Sequence, residues 1–342
     1  MAMAKLNTVA RLSDVAAAAS VSVATVSRYV NGTLVLPTDT AQRIDAAIKQ
    51  LDYRPNPHAR RLSMGRSDTI GLLVPDIANP FFAQLADAVE RAAAARGLDL
   101  MLCATHNQPQ RELDYIAWMR RNHMDGVLFA TNHVDDGTLA LAIAGCTDVV
   151  LIDEDVPGTD VAKVFADNDQ GGYLAGRHLV EAGHQRFAFI GGQNGMVSTT
   201  ERLAGFRRAV SEGGPDCAII SEAFTRYVAS DGRAAVERML ALPKRPTAVF
   251  VTSDELTIGV LEALRAHSIR VPQEISLISF DDVRPLHLFF PAVTAIRQPL
   301  AEMGQLAFDL LVDATLRGTA NPPRRLPVEL IERASVAPPA AA

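Results

Sequence analysis

Cysteine is rare in this chain: Cys103, Cys146 and Cys217 are the only three among 342 residues, odd in number and far apart. They build neither a disulfide framework nor a CxxC motif, which fits a reducing cytoplasm. Long apolar runs are missing too. No stretch approaches the roughly 20 residues that cross a bilayer, and the N-terminal MAMAKLNTVARLSD lacks the apolar centre of a signal peptide. A cytoplasmic protein with no membrane partner is expected. Catalytic signatures are also absent: no GxSxG, HExxH or P-loop string occurs. Gly191-Gly192-Gln193-Asn194-Gly195 is glycine-rich, yet it lacks the GxGxxG spacing and an acidic ribose partner of a Rossmann-type enzyme. His106, His123, His133, His184 and His267 show no metal-ligand spacing and read as surface residues. Neither catalytic residues nor a metal or cofactor are expected.

What is present is a large hydrophobic fraction, 48%, with 6% aromatic and 21% charged residues. Such a chain can bury sizeable cores, and its length suits two or three domains. The net charge of -6 hides an asymmetry. Residues 1–67 carry 9 Lys and Arg against 4 Asp and Glu, whereas the remainder carries 24 against 35. A small basic head on an acidic body points to a nucleic-acid partner for the head alone.

In the head, LSDVAAAASVSVATVSRYVN (12–31) holds two short amphipathic helices around the turn Ala19-Ser20-Val21-Ser22. Leu12, Val15, Ala16 and Ala19 line the first, and Val26 and Val30, with Tyr29, the second. Ser22 stands where an N-cap belongs. A third helix follows, with Asp39 in its first turn and Ile44, Ala47, Ile48 and Leu51 as its apolar stripe. This is the pattern of a helix-turn-helix. The outward face of the second helix carries Val23, Ala24, Thr25, Ser27, Arg28 and Asn31. Small residues allow close approach to a major groove, Arg28 can bridge guanine O6 and N7, and the hydroxyls and Asn31 suit phosphates. Next, LDYRPNPHARRLSMGRS (51–67) offers a short helix from Asn56 to Met64, with arginines around Leu62. A helix this short needs a surface to fold on, and a leucine among arginines is the composition of a minor-groove wedge.

Residues 12–67 resemble the head of the LacI/GalR family of bacterial transcription regulators. The matching strings are Asp14-Val15-Ala16, Val21-Ser22, Thr25-Val26-Ser27-Arg28, Asn31-Gly32, Ala46-Ala47-Ile48, Leu51-Asp52-Tyr53, Pro55-Asn56, Ala59-Arg60 and Leu62. The resemblance implies that Val23, Ala24 and Arg28 face bases and that Ser22, Thr25, Ser27, Asn31, Thr40, Tyr53 and Asn56 face the DNA backbone. It implies as well that Ala59 and Leu62 enter the minor groove at the operator centre. Two departures stand out. Arg11 replaces the family's Thr before the first helix, leaving Ser13 to cap. Ser20 replaces the Gly of the turn, which predicts backbone strain.

From residue 68 the pattern becomes short apolar strands alternating with amphipathic helices. Strands are expected at 69–74, 98–103, 126–129, 149–152, 186–190, 218–223, 248–251 and 276–280. Helices are expected at 81–95, 112–121, 171–182, 201–211, 232–240, 257–267 and 300–317. Continuous apolar strands in βα units imply doubly wound parallel sheets, too many for one sheet, hence an α/β body of two lobes. Ligands of such sheets sit beyond the strand carboxyl ends. The loops there are Pro75–Phe82, Asp153–Asp155, Gly191–Arg202, Thr252–Glu255, Phe280–Asp282 and Arg297–Gln298. Together they supply aromatic faces, carboxylates, an arginine and an amide, a chemistry suited to a sugar. Asn79, Asp254 and Asp282 are as easily read as caps or loop anchors.

The body resembles the periplasmic sugar-binding fold that this family shares. Asn79-Pro80-Phe81-Phe82 is similar to a ribose-binding loop whose two Phe sandwich a pentose. The resemblance assigns Asp153, Arg202, Asp281 and Gln298 to sugar hydroxyls and Tyr227 to stacking. Ser253 stands where an Asn usually binds sugar, and Glu154 where ribose binders have Arg. These readings give a head at 1–55, a hinge helix and linker at 56–67, and an effector-binding and dimerisation body at 68–336. The body's N-lobe takes 68–166 and 297–325, its C-lobe 167–296 and 326–336, and a disordered Pro/Ala tail follows at 337–342. The expected protein is a repressor that binds a pseudo-palindromic operator as a homodimer under allosteric control by a pentose or polyol. The alternatives left open are a partner protein or non-sugar metabolite as effector, and more remotely a sugar-binding protein or enzyme. No leucine heptads follow to build a tetramer.

Overall fold

The computed structural model describes residues 10–53, 67–317 and 323–340. It divides into two units, Met1–Ser67 and Asp68–Ala342.

In the head, α1 (Leu12–Ala19), α2 (Val23–Val30) and α3 (Thr38–Gln50) enclose Val15, Ala16, Ala19, Val26, Ile44 and Ala47. Ser20 closes α1 in the left-handed region, φ 54 and ψ 47. That is the strained position where glycine would be free, at a cost of about 1 kcal/mol. Ser22 caps α2, its Oγ accepting from the Thr25 amide at 3.1 Å. The start of α1 differs from expectation. Its N-cap is Arg11, which has no acceptor, and Asp14 takes the Arg11 amide at 2.8 Å, while Ser13 lies inside the helix. Tyr29 ties α2 to α3 by donating to the Asp45 carboxylate at 3.0 Å.

The body is two six-stranded sheets. The first lobe contains β1 (Thr69–Val74), β2 (Asp99–Ala104), β3 (Val127–Phe129), β4 (Val149–Ile152), β5 (Ala162–Ala166) and β11 (Arg324–Leu326). Their order is β11-β5-β4-β3-β1-β2 and all pairs are parallel. The second contains β6 (Arg186–Gly191), β7 (Ala218–Phe224), β8 (Ala248–Val251), β9 (Ser276–Phe280), β10 (Thr294–Arg297) and β12 (Glu329–Ile331). Its order is β12-β10-β9-β8-β6-β7, parallel except for β12 against β10. Helices α4 (Pro80–Ala95), α5 (Pro109–Arg121), α6 (Thr138–Ile143) and α11 (Leu300–Arg317) belong to the first lobe. The second lobe has α7 (Asn168–Glu181), α8 (Val197–Glu212), α9 (Ala229–Leu240) and α10 (Asp254–Ala266), with a 3-10 turn at Arg284–His287. The chain changes lobe three times, after β5, β10 and β11. Strands such as β1, buried on both faces, account for the continuous apolar runs.

Several elements depart from the expected ones, each for a physical reason. β5 was hidden by Lys163, a charge inside its apolar run; that lysine is buried and pairs with Asp155 at 2.6 Å. α8 starts at Val197, within a stretch read as loop. Its first turn, Val197-Ser198-Thr199-Thr200, is β-branched and hydroxylated and has weak intrinsic helix preference. A carboxylate from the other lobe holds it: Glu154 accepts from the Val197 amide at 2.7 Å and the Ser198 amide at 3.3 Å. The chain beyond residue 336 is not all loose tail. Ala337 bonds Ser276 Oγ through both its amide and its carbonyl, at 3.1 and 3.0 Å. His184, read as a surface residue, is buried between Thr247 Oγ1 and the Ala337 carbonyl, and His133 lies 2.7 Å from the buried Glu112. No helix among the described residues is long and apolar enough to cross a membrane.

Candidate functional site

At α2, Ser22, Val23, Ala24 and Arg28 are exposed, and Thr25, Ser27 and Asn31 are half-buried, as are Thr40 in α3 and Tyr53 after it. Val23 is 47% exposed although apolar, an arrangement that folding alone does not reward. The Ser22 hydroxyl also meets Thr25 Oγ1 at 2.8 Å, so two side chains assigned to the DNA backbone are held together at the helix N-terminus. Asn56, Ala59 and Leu62, and with them the hinge helix, lie outside the described residues.

In the body, Asn79, Phe81, Phe82, Asp153, Arg202, Tyr227, Ser253, Asp281 and Gln298 all line a single cleft, open to solvent. They come from six loops at strand carboxyl ends and from α4 and α8. Pro75, Asp76, Asn107, Asn132, Met196, Ser198, Val228, Asp254 and Glu255 complete the wall. Asn107, Asn132 and Val228 lie in none of the loops expected from the sequence. The asparagines sit in loops with no neighbouring motif, whereas Met196 and Ser198 belong to the expected 191–202 stretch, as N-cap and first turn of α8.

Each polar side chain is aimed by a local device. Asp153 and Asp281 follow β4 and β9 with φ of 71° and 74°. Left-handed backbone at an aspartate is uncommon, and here it turns both carboxylates into the same cleft. Asn79 caps α4, its Oδ1 accepting from the Phe81 amide at 2.7 Å, and its Nδ2 donates to Asp254 Oδ1 at 3.1 Å. Ser253 caps α10 through the Leu256 amide at 3.2 Å. Phe81 and Phe82 stand edge to face, centroids 5.0 Å apart. Gln298 donates Nε2 to Asp281 Oδ1 at 2.7 Å.

Arg202 is the centre of the arrangement. It is 3% exposed, its guanidinium carbon 3.6 Å over the Phe280 ring. Its Nε donates to Asn168 Oδ1 at 2.8 Å and its Nη1 to the Thr252 carbonyl at 2.7 Å. Phe280 continues into Phe250 and Phe206, so the arginine rests on the aromatic core of the second lobe. Close packing of α7 on α8 keeps it there: a Cβ at Gly172 would run into the Arg202 carbonyl. Burial pushes Asp153, Asp254 and Asp281 above the usual carboxylate range, and nearby Arg202 offsets this only in part for Asp153 and Asp281. Two residues of the expected loops are turned elsewhere. Asp282 pairs with Arg297 at 2.7 Å and Arg333 at 2.7 Å, and Glu154 caps α8.

The head and the cleft have counterparts in known proteins. Residues 11–56 match the description "Bacterial regulatory proteins, lacI family", and residues 177–336 match "Periplasmic binding protein-like domain". The HTH-type transcriptional repressor PurR of Erwinia tasmaniensis is 35% identical over 337 residues, covering 96% of this chain and 97% of that protein. The chain belongs to the lacI family. Its relatives are transcription regulators rather than enzymes, and it is a DNA-binding repressor of that type with a periplasmic-binding-protein-like body. Among solved structures, the lac repressor dimer bound to operator and the anti-inducer ONPF superposes with a TM-score of 0.82 at 26% identity. It covers 96% of this chain and 100% of that one. A LacI family regulator from Enterococcus faecium with bound ribose gives 0.68 at 29% identity, covering 79% of this chain and 99% of that one.

Proposed function

We propose that this repressor binds a pseudo-palindromic operator as a homodimer and that a small sugar, of pentose or polyol size, controls that binding from the cleft. The observation that carries the reading is the convergence of nine side chains, predicted from separate loops, on one cleft with both aromatic and polar walls. Two edge-to-face phenylalanines and Tyr227 offer faces for a sugar ring, and buried carboxylate and amide oxygens offer acceptors for its hydroxyls. The ribose bound to the Enterococcus relative supports the class.

In the head, Val23, Ala24 and Arg28 face bases. Ser22, Thr25, Ser27, Asn31, Thr40, Tyr53 and Asn56 face the sugar-phosphate backbone, and Ala59 and Leu62 face the minor groove. Two recognition helices related by a two-fold axis match two half-sites. The lobes change lobe-to-lobe geometry when the sugar binds, and the ligand acts by preferring one of the two states. A thermal-shift screen of pentoses, hexoses and polyols on the full chain tests the effector class. A ligand at 100 Kd raises stability by about 2.7 kcal/mol. If no member of any of these classes stabilises the chain, the sugar assignment is wrong.

A further inference from the structure

We infer that the effector of this cleft carries a protonated amine, an amino sugar or amino polyol in place of a neutral one, with the ammonium group held among Asp153, Asp254 and Gln298. The inference rests on the sugar reading above and narrows it.

It follows from an imbalance between donors and acceptors. Many of the cleft's donors are spent on the protein itself. Arg202 gives Nε and Nη1 to Asn168 and Thr252 and keeps Nη2 for the cleft, Asn79 gives Nδ2 to Asp254, Gln298 gives Nε2 to Asp281, and Ser198 gives its hydroxyl to Glu154. Its acceptors are not. Asp153 Oδ1, Asp254 Oδ2 and Gln298 Oε1 are buried and have no hydrogen-bond partner. Asp254 is 1% exposed and Gln298 6%, so both are largely withdrawn from bulk solvent. A sugar hydroxyl brings a donor and an acceptor together; an ammonium brings three donors and no acceptor. The second fills all three unpartnered acceptors with one group.

Charge points the same way. Asp76, Asp153, Asp254, Glu255 and Asp281 line the cleft, and Arg202 is the one cation among the lining residues. Asp153 and Asp254 each raise the proton affinity of Asp281, so the three carboxylates feel one another. A neutral sugar can donate hydroxyls to these carboxylates but leaves their negative charge uncompensated. A cationic ligand allows them to stay ionised, and charge-assisted hydrogen bonds are about twice as strong as neutral ones.

The test is titration calorimetry of the full chain at neutral pH with matched pairs: glucosamine and glucose, galactosamine and galactose, glucamine and glucitol. At least one amine should bind tenfold or more tightly than its hydroxyl parent, and N-acetylation should erase the gain. Asp254→Asn should reduce the preference to under threefold; should that variant not fold, Asp153→Asn reads out the same loss. If parents bind as tightly as amines, the inference is overturned while the sugar reading stands. A preference that survives both substitutions overturns it as well. If no compound of any pair binds, this inference is overturned, and the thermal-shift screen with pentoses decides the sugar reading separately.

Discussion

The head and the cleft solve recognition in opposite ways. On α2 the recognising side chains stand in water: Ser22, Val23, Ala24 and Arg28 are exposed, and the core beneath them consists of a few small residues. In the cleft the polar groups are buried before any ligand arrives, around one arginine stacked on Phe280. Exposed groups lose little when a partner is absent, because water satisfies them. Buried groups must be balanced by each other, so fold stability and ligand preference are tied together in the body and separable in the head.

The largest expected effect tests that tie. Arg202→Met removes the cation among buried carboxylates and leaves Asn168 Oδ1 and the Thr252 carbonyl without their donor. Breaking a buried pair this way costs about 3–5 kcal/mol, readable as a lowered denaturant midpoint of the body. Arg28→Ala, by contrast, should leave that midpoint unchanged and weaken operator binding by about 1–3 kcal/mol in a fluorescence titration. Equal destabilisation by the two substitutions would erase the distinction between the regions.

A pH effect of intermediate size sharpens it. Burial raises Glu154 to about 7. Its folded pKa lies above the ordinary carboxylate value, so its stabilising contribution is complete below about 4.5 and lost as pH rises through about 7. His133, raised to about 8 chiefly by its bond to Glu112, adds a loss of the same sign between about 6.5 and 8. The melting temperature of the full chain should therefore fall from pH 5 to pH 8, and Glu154→Gln should make that fall shallower. An unchanged slope in the variant would show that Glu154 does not titrate in this range. The smallest effect belongs to the head. Ser22→Ala removes the α2 cap and should cost about 1 kcal/mol of head stability, measured by helix melting.

The two regions also differ in how legible they were. The head's face is contiguous in sequence, so spacing alone placed Ser22 as a cap and Val23, Ala24 and Arg28 on the outer face. The cleft is scattered over more than two hundred positions. Only the rule that ligands lie beyond strand carboxyl ends, with the resemblance to sugar binders, collected its nine residues. What stayed hidden depends on partners distant in sequence. β5 could not be seen without the Lys163–Asp155 pair, and α8 could not be started correctly without Glu154 reaching from the other lobe. The left-handed aspartates and the unpartnered acceptors are likewise tertiary facts. No spacing announces that Asp153 and Asp281 turn toward one another's cleft, or that Asn79 spends both its polar atoms on protein.

The proposed control of DNA binding by occupancy of the cleft can be put to a single experiment. It is tested most directly by titrating the full chain against a DNA fragment selected from the genome, with and without the compound that stabilises the body best. The account predicts at least a fivefold change in operator affinity in the wild type and none in Asp281→Asn at the same concentration. Operator affinity that ignores the compound in both proteins would contradict it.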